Sequence, residues 1–155
     1  MRGRGDEWAT VLQLLGAVPR TGGNNVVLVE GEPGIGKSLM LAEAATVAAA
    51  RGTAVAAGRA DELGRLMPLG PLLSALQESP PAMAVTRHPF PDGPALLMWL
   101  AEQVRTTLER RRMRGPLLVA LDDLQWADPA TLMALRTLPS QLARRPPAWL
   151  LARRT

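Results

Sequence analysis

Short apolar runs without alternation recur along the chain. Val26-Val27-Leu28-Val29 lies between Asn24-Asn25 and Gly31, Leu117-Leu118-Val119-Ala120-Leu121 ends on Asp122-Asp123, and Trp149-Leu150-Leu151-Ala152 stops at Arg153-Arg154-Thr155. Thr53-Ala54-Val55-Ala56-Ala57 is a weaker run of the same kind. Runs of this length predict strands covered on both faces, which is the habit of parallel sheets. Between them the periodicity becomes helical. Trp8, Val11, Leu12 and Leu15 share one helical face. Ser38 to Arg51 is rich in alanine, whose small side chain suits a helix lying close on a sheet, and Gly52 ends it. A short helix is predicted from Gly70 to Gln77, followed by a proline-rich loop from Ser79 to Pro94. A longer helix is predicted from Ala95 to Arg112, with Leu97, Leu100, Val104 and Leu108 on one face and Met98 and Trp99 near it as core filler. Asp128-Pro129 opens a last helix, with an acceptor side chain at the N-cap, proline in the first turn, and apolar Leu132, Met133 and Leu135 following. Alternating strands and helices predict an α/β fold, a three-layer sandwich around a mostly parallel sheet; no internal repeat is evident.

Composition narrows the class. The 155 residues are 47% hydrophobic and 21% charged, enough for one domain with a buried core and too apolar for a solvated disordered chain. No stretch approaches the ~18 apolar residues of a membrane span, and the charged opening Met1 to Glu7 has no signal-peptide core, so a cytoplasmic location is expected. With no cysteine, disulfide scaffolds and thiolate metal sites drop out. His88, alone among prolines, has no second ligand at metal spacing and is read as a loop residue. The net charge of +4 raises the question of nucleic acid. The densest basic run, Arg110-Arg111-Arg112-Met113-Arg114, falls at the end of a predicted helix before Gly115-Pro116, where cations complement the helix dipole, and is read as a solvated helix end.

The candidate chemistry lies after the first strand. Gly31-Glu32-Pro33-Gly34-Ile35-Gly36-Lys37-Ser38 matches G-x-x-x-x-G-K-[ST]. The glycines let the backbone curl so that successive N–H groups point at phosphate oxygens, and the following helix presents its positive end there. Lys37 is expected to reach the β- and γ-phosphates of ATP, and the Ser38 hydroxyl to ligate Mg²⁺. Contacts to the cofactor are expected from Gly31, Glu32, Pro33, Gly34, Ile35, Gly36, Lys37, Ser38 and Leu39. With 14 glycines and the chain's only lysine, chance would produce roughly 0.0007 such matches in this composition. Such a site also needs an acidic residue at the end of a neighbouring strand. Asp122 is assigned to the metal side, through water, and Asp123 to the place of a base that polarises the attacking water. Asp128 is read as a helix cap. The last strand carries Arg153 and Arg154 to the same sheet edge, where one of them can sense the γ-phosphate; strand phase favours Arg154.

These residues resemble a known family: the AAA-type ATPase domain of signal-transduction ATPases with numerous domains, and within it the large ATP-binding regulators of the LuxR family. Gly3-Arg4-Gly5-Asp6-Glu7 looks like the family's G-R-x-x-E opening, which would place Arg4 close to the nucleotide base. Gly58-Arg59-Ala60-Asp61-Glu62 with Pro68-Leu69-Gly70-Pro71-Leu72 is similar to its stretch after the second strand. Asp122-Asp123-Leu124-Gln125-Trp126-Ala127-Asp128 resembles its Walker B signature, and Trp149 to Arg154 its sensor strand. The resemblance implies a nucleotide switch that ATP drives toward an assembled, self-associated state and that hydrolysis to ADP resets. It also implies that residues 1–155 are the N-terminal part of such a domain, ending after the fourth strand, with the lid, winged helix, sensor repeats and DNA-binding helix-turn-helix lying outside this chain. The strand Val26 to Glu30 is then expected at an uncovered sheet edge. Three alternatives stay open on the residues themselves: ATP binding without hydrolysis, a small-molecule phosphotransferase, and a basic nucleic-acid-binding fragment.

Overall fold

The computed structural model describes residues 5–17, 25–32, 36–62, 68–76, 93–142 and 146–154. Arg4, Pro33, Gly34, Ile35, Gln77 and His88 lie outside the described residues. The elements are α1 (Gly5–Ala17), β1 (Val26–Gly31), α2 (Lys37–Ala50), β2 (Ala54–Arg59), α3 (Gly70–Ala75), α4 (Gly93–Met113), β3 (Leu117–Asp122), α5 (Pro129–Gln141) and β4 (Ala148–Arg154), with a 3₁₀ turn at Leu124–Trp126. The strands form one sheet in the order β1-β4-β3-β2, with every neighbouring pair parallel. The predicted α/β sandwich around a parallel sheet is thus observed.

The sheet sorts its apolar side chains by strand parity. Leu117, Val119 and Leu121 of β3 join Trp149 and Leu151 of β4 in a core covered by α3, α4 and α5. Leu118 and Ala120 join Leu150 and Ala152 in a second core under α1 and α2. Every residue of β3 is buried, as its continuous apolar run predicts. The alanines Ala44 and Ala48 of α2 are buried on the second core, which lets that helix lie close to the strands.

Two contacts fix the layer on the other face. A Cβ on Gly58 would lie 2.6 Å from the Pro71 carbonyl oxygen, so glycine permits α3 to rest directly on β2. Leu69, the residue before α3, has φ 62°, a left-handed conformation rare for a leucine. Asp128 holds it there. One carboxylate oxygen accepts the amides of both Leu69 and Thr131 at 3.0 Å, and the other accepts the Thr131 hydroxyl at 2.6 Å. Asp128 is therefore the expected cap of α5, and it also ties α5 to the start of α3.

Some surface expectations are corrected. In α4 the buried stripe is Leu100, Val104 and Leu108, whereas Met98, two residues before Leu100 and so off the stripe, is 75% exposed. Leu132 and Met133 are likewise exposed; α5 buries Thr131, Ala134 and Leu138 instead. The basic end of α4 is not simply solvated. Arg111 donates to the Leu76 carbonyl at the end of α3, and Arg112 donates to the carbonyls of Pro146 and Gly115 at 3.1 and 3.2 Å. These arginines satisfy chain ends that helices and loops leave open.

Candidate functional site

The strands all point the same way, so their C-terminal ends share one edge. Register sets Gly31 beside Arg154, Glu30 beside Arg153, and Arg59 beside Asp122. Along β3, Asp122 has the parity of Leu118 and Ala120, which face α2. It therefore meets the first turn of α2, where the chain leaves the glycine-rich loop.

Gly36 enters that helix at φ 90°, a left-handed conformation that favours glycine. Lys37 follows and is only 8% exposed. A buried ammonium needs acceptors, and Nζ donates to the carbonyls of Gly31 and Glu32, both at 2.8 Å. The lysine is thus folded back along its own loop, held at the sheet edge rather than spread into solvent. Ser38 comes next, and its hydroxyl donates to Asp122 Oδ2 at 2.5 Å. The other oxygen of Asp122 accepts the Asp123 amide at 2.8 Å. Leu39, expected to touch nucleotide, is 54% exposed on the first turn of α2.

Asp123 has φ 57°, a conformation aspartate tolerates better than most residues. This turns its side chain out of the strand. Oδ1 accepts Gln125 Nε2 at 3.3 Å, and Oδ2 lies 3.1 Å from Arg59 Nε. Arg59 also reaches back: its Nη2 is 3.2 Å from Asp122 Oδ2 and 3.4 Å from the Ser38 hydroxyl. One guanidinium therefore spans both carboxylates and the serine. Arg59 has no expected role in the sequence, because the apolar run stops at Ala57; the strand itself continues to Arg59, whose parity matches that of Val55, which packs toward α2.

The two candidate sensor arginines separate. Arg153 pairs with Glu30 at 3.2 Å on the exposed surface. Arg154 lies beside the last residue of β1, with its guanidinium 5.6 Å from the centre of the Trp126 ring, a cation–π distance. Its amide donates to Gln125 Oε1 at 2.9 Å. The Gln125-Trp126 segment thus binds the end of β4 to the turn after β3.

The donor set bears on the expected ion. Among the described residues, no group of three or more His, Cys, Asp or Glu side chains converges as a metal cage. What converges is one hydroxyl and one carboxylate. Both are hard oxygen donors, and Mg²⁺ is commonly held by one or two carboxylates together with substrate phosphates and water. Ser38 and Asp122 fit that pattern, and they fit a complete protein-made metal site poorly.

The comparisons agree with this architecture. Residues 1–151 match the family described as AAA ATPase domain. No curated protein sequence matches the chain. Among solved structures, Cdc6p from Pyrobaculum aerophilum superposes with a TM-score of 0.60 at 17% identity, covering 99% of this chain and 39% of that one. The Drosophila ORC bound to DNA superposes with a TM-score of 0.56 at 18% identity, covering 100% of this chain and 38% of that one. Likeness at such identities concerns the fold, and this chain spans about two fifths of the length of either structure. No helix among the described residues is long and apolar enough to cross a membrane. With the match extending over residues 1–151, the chain belongs to the AAA ATPase domain family.

Proposed function

We propose that this chain binds ATP with Mg²⁺ at the C-terminal edge of its sheet and hydrolyses it slowly, as the nucleotide switch of a LuxR-type regulator. The observation that carries the binding step is the meeting of Lys37, Ser38 and Asp122. A buried ammonium, a helix start and a hydroxyl–carboxylate pair converge where the chain leaves Gly31 to Gly36. Bound Mg²⁺ would supply charge neutralisation to the phosphates, with Ser38 and Asp122 holding it. In this reading Lys37 exchanges its two loop carbonyls for phosphate oxygens, so its charge is satisfied in both states. Asp123 orients the attacking water, and Arg154 approaches the γ-phosphate from β4. Membership in a LuxR-type regulator is supported by sequence alone: the Arg4 opening motif and the Trp126-Ala127-Asp128 extension after Asp123.

A specific observation favours the reading without turnover. The carboxylate of Asp123 is occupied on both oxygens, by Gln125 and Arg59, so a base at this place must first be released. Two variants separate the readings. Lys37→Ala should weaken binding of a fluorescent ATP analogue by roughly 10- to 150-fold, the worth of one charge-assisted contact. Asp123→Asn should leave that affinity within about twofold while turnover falls by roughly 100-fold or more if the residue acts as base. Equal turnover in wild type and Asp123→Asn would leave ATP binding standing and remove Asp123 from catalysis. Unchanged affinity in Lys37→Ala would remove the phosphate site itself.

A further inference from the structure

Arg59 stands apart from the phosphate loop, yet its guanidinium contacts the same oxygens that the proposed site offers to a metal ion. Its Nη2 lies 3.2 Å from Asp122 Oδ2 and 3.4 Å from the Ser38 hydroxyl, and its Nε lies 3.1 Å from Asp123 Oδ2. The Ser38 hydroxyl and Asp122 Oδ2 are themselves 2.5 Å apart, so the cation sits against both members of the pair at once. A planar fork suits this geometry, because it addresses two carboxylates in different directions where an ammonium would address one point.

The two partners differ in burial. The Asp122 side chain is 10% exposed at the end of a fully buried strand, whereas the Arg59 side chain is 60% exposed. Moving Arg59 out therefore costs little packing and restores hydration to its guanidinium, while moving Asp122 would disturb β3. A cavity of about 180 Å³ adjoins Arg59, with Asp61, Ser74 and Trp126 on its walls and Ser38 not among them. It gives the long side chain a place beside the site without leaving the surface.

We propose that Arg59 is a built-in competitor of the divalent cation. In the nucleotide-free chain it neutralises Asp122 and Asp123 and caps Ser38, and metal enters together with nucleotide only as the guanidinium withdraws. This rests on the reading of Ser38 and Asp122 as the metal side. Its consequence is a raised threshold: the resting site discriminates against free divalent cation, and nucleotide phosphates supply the extra attraction that displaces the arginine. Release of Arg59 also frees Asp123 Oδ2, so metal entry and availability of that carboxylate are one event.

The test is Mn²⁺ retained by the chain in equilibrium dialysis, with a non-hydrolysable ATP analogue at the same saturating concentration on both sides of the membrane. Wild type, Arg59→Ala and Arg59→Lys are compared. Because the Arg59 half of the pair is solvent-screened, the Mn²⁺ concentration for half occupancy should fall by roughly three- to tenfold in Arg59→Ala, with Arg59→Lys between the two. On wild type alone, the Arg59 Nε–H resonance should lose exchange protection when Mg²⁺ and analogue are added together. An unchanged or higher half-occupancy concentration in Arg59→Ala, with wild type binding normally, overturns the competitor role; a higher one makes Arg59 a ligand of the loaded site. Wild type that takes up no Mn²⁺ with the analogue overturns the underlying site reading, and this inference with it.

Discussion

The two strands that carry the site are held very differently. β3 lies inside the sheet between β4 and β2, and all its residues are buried. β1 pairs with β4 on one side and, among the described residues, with no strand on the other, leaving Leu28 44% exposed. The acidic half of the site therefore stands on the best-supported strand of the molecule, and the phosphate half on an edge. The contrast suits a switch: a fixed carboxylate against which a loop, a helix start and an arginine can rearrange. An uncovered strand edge is also a place for other chains to pair.

Substitutions along the two strands sharpen this contrast. Leu121→Ala in β3 should cost about 2–5 kcal/mol in a urea melt, because it opens a cavity in a closed core. Asp128→Ala should follow at about 2–3 kcal/mol, since it removes a helix cap and strands the buried amide of Leu69. Leu28→Ala in β1 should stay within about 0.5 kcal/mol, as for other surface positions. A Leu28→Ala cost approaching that of Leu121→Ala would mean that the outer edge of β1 is covered in solution. The smallest effect is expected on the exposed face of α4. There the Arg105 side chain hydrogen-bonds Glu102 and holds its carboxyl below the ordinary carboxylate range. A depressed folded value means stability that is present above the ordinary range and lost as pH falls through the depressed one. Glu102→Gln should therefore flatten the acid limb of the melt only slightly, as both side chains of the pair remain in contact with solvent.

What could be read from the sequence follows from how local each signal is. β3 and β4 announce themselves as continuous apolar runs because burial on both faces leaves no polar position to interrupt them, whereas β1 carries a run of the same kind yet fully buries only Val29, so its expected cover on both faces is not met at this edge. The α5 cap is equally local: Asp128, Pro129 and Thr131 are neighbours in sequence. The second task of Asp128 is not local, since Leu69 lies 59 residues away and only the fold brings its amide to the same oxygen. Arg59 illustrates the same limit at the site. Its partner Asp122 is 63 residues distant, and their meeting depends on parallel register between β2 and β3, which no pattern within either strand encodes. Met98 failed as core filler for a simpler reason: apolar character marks what a position can bury, while its angle on the helix decides what it does bury.

The central claim is a location, so the most direct measurement is hydrogen–deuterium exchange of the chain with and without ATP and Mg²⁺. Protection is expected at the start of α2 from Lys37 to Met40, at the turn from Asp122 to Trp126, and at the end of β4 around Arg154. Lys37→Ala should abolish the change. Nucleotide that binds while protecting other segments, or that protects the same segments in Lys37→Ala, would contradict the account.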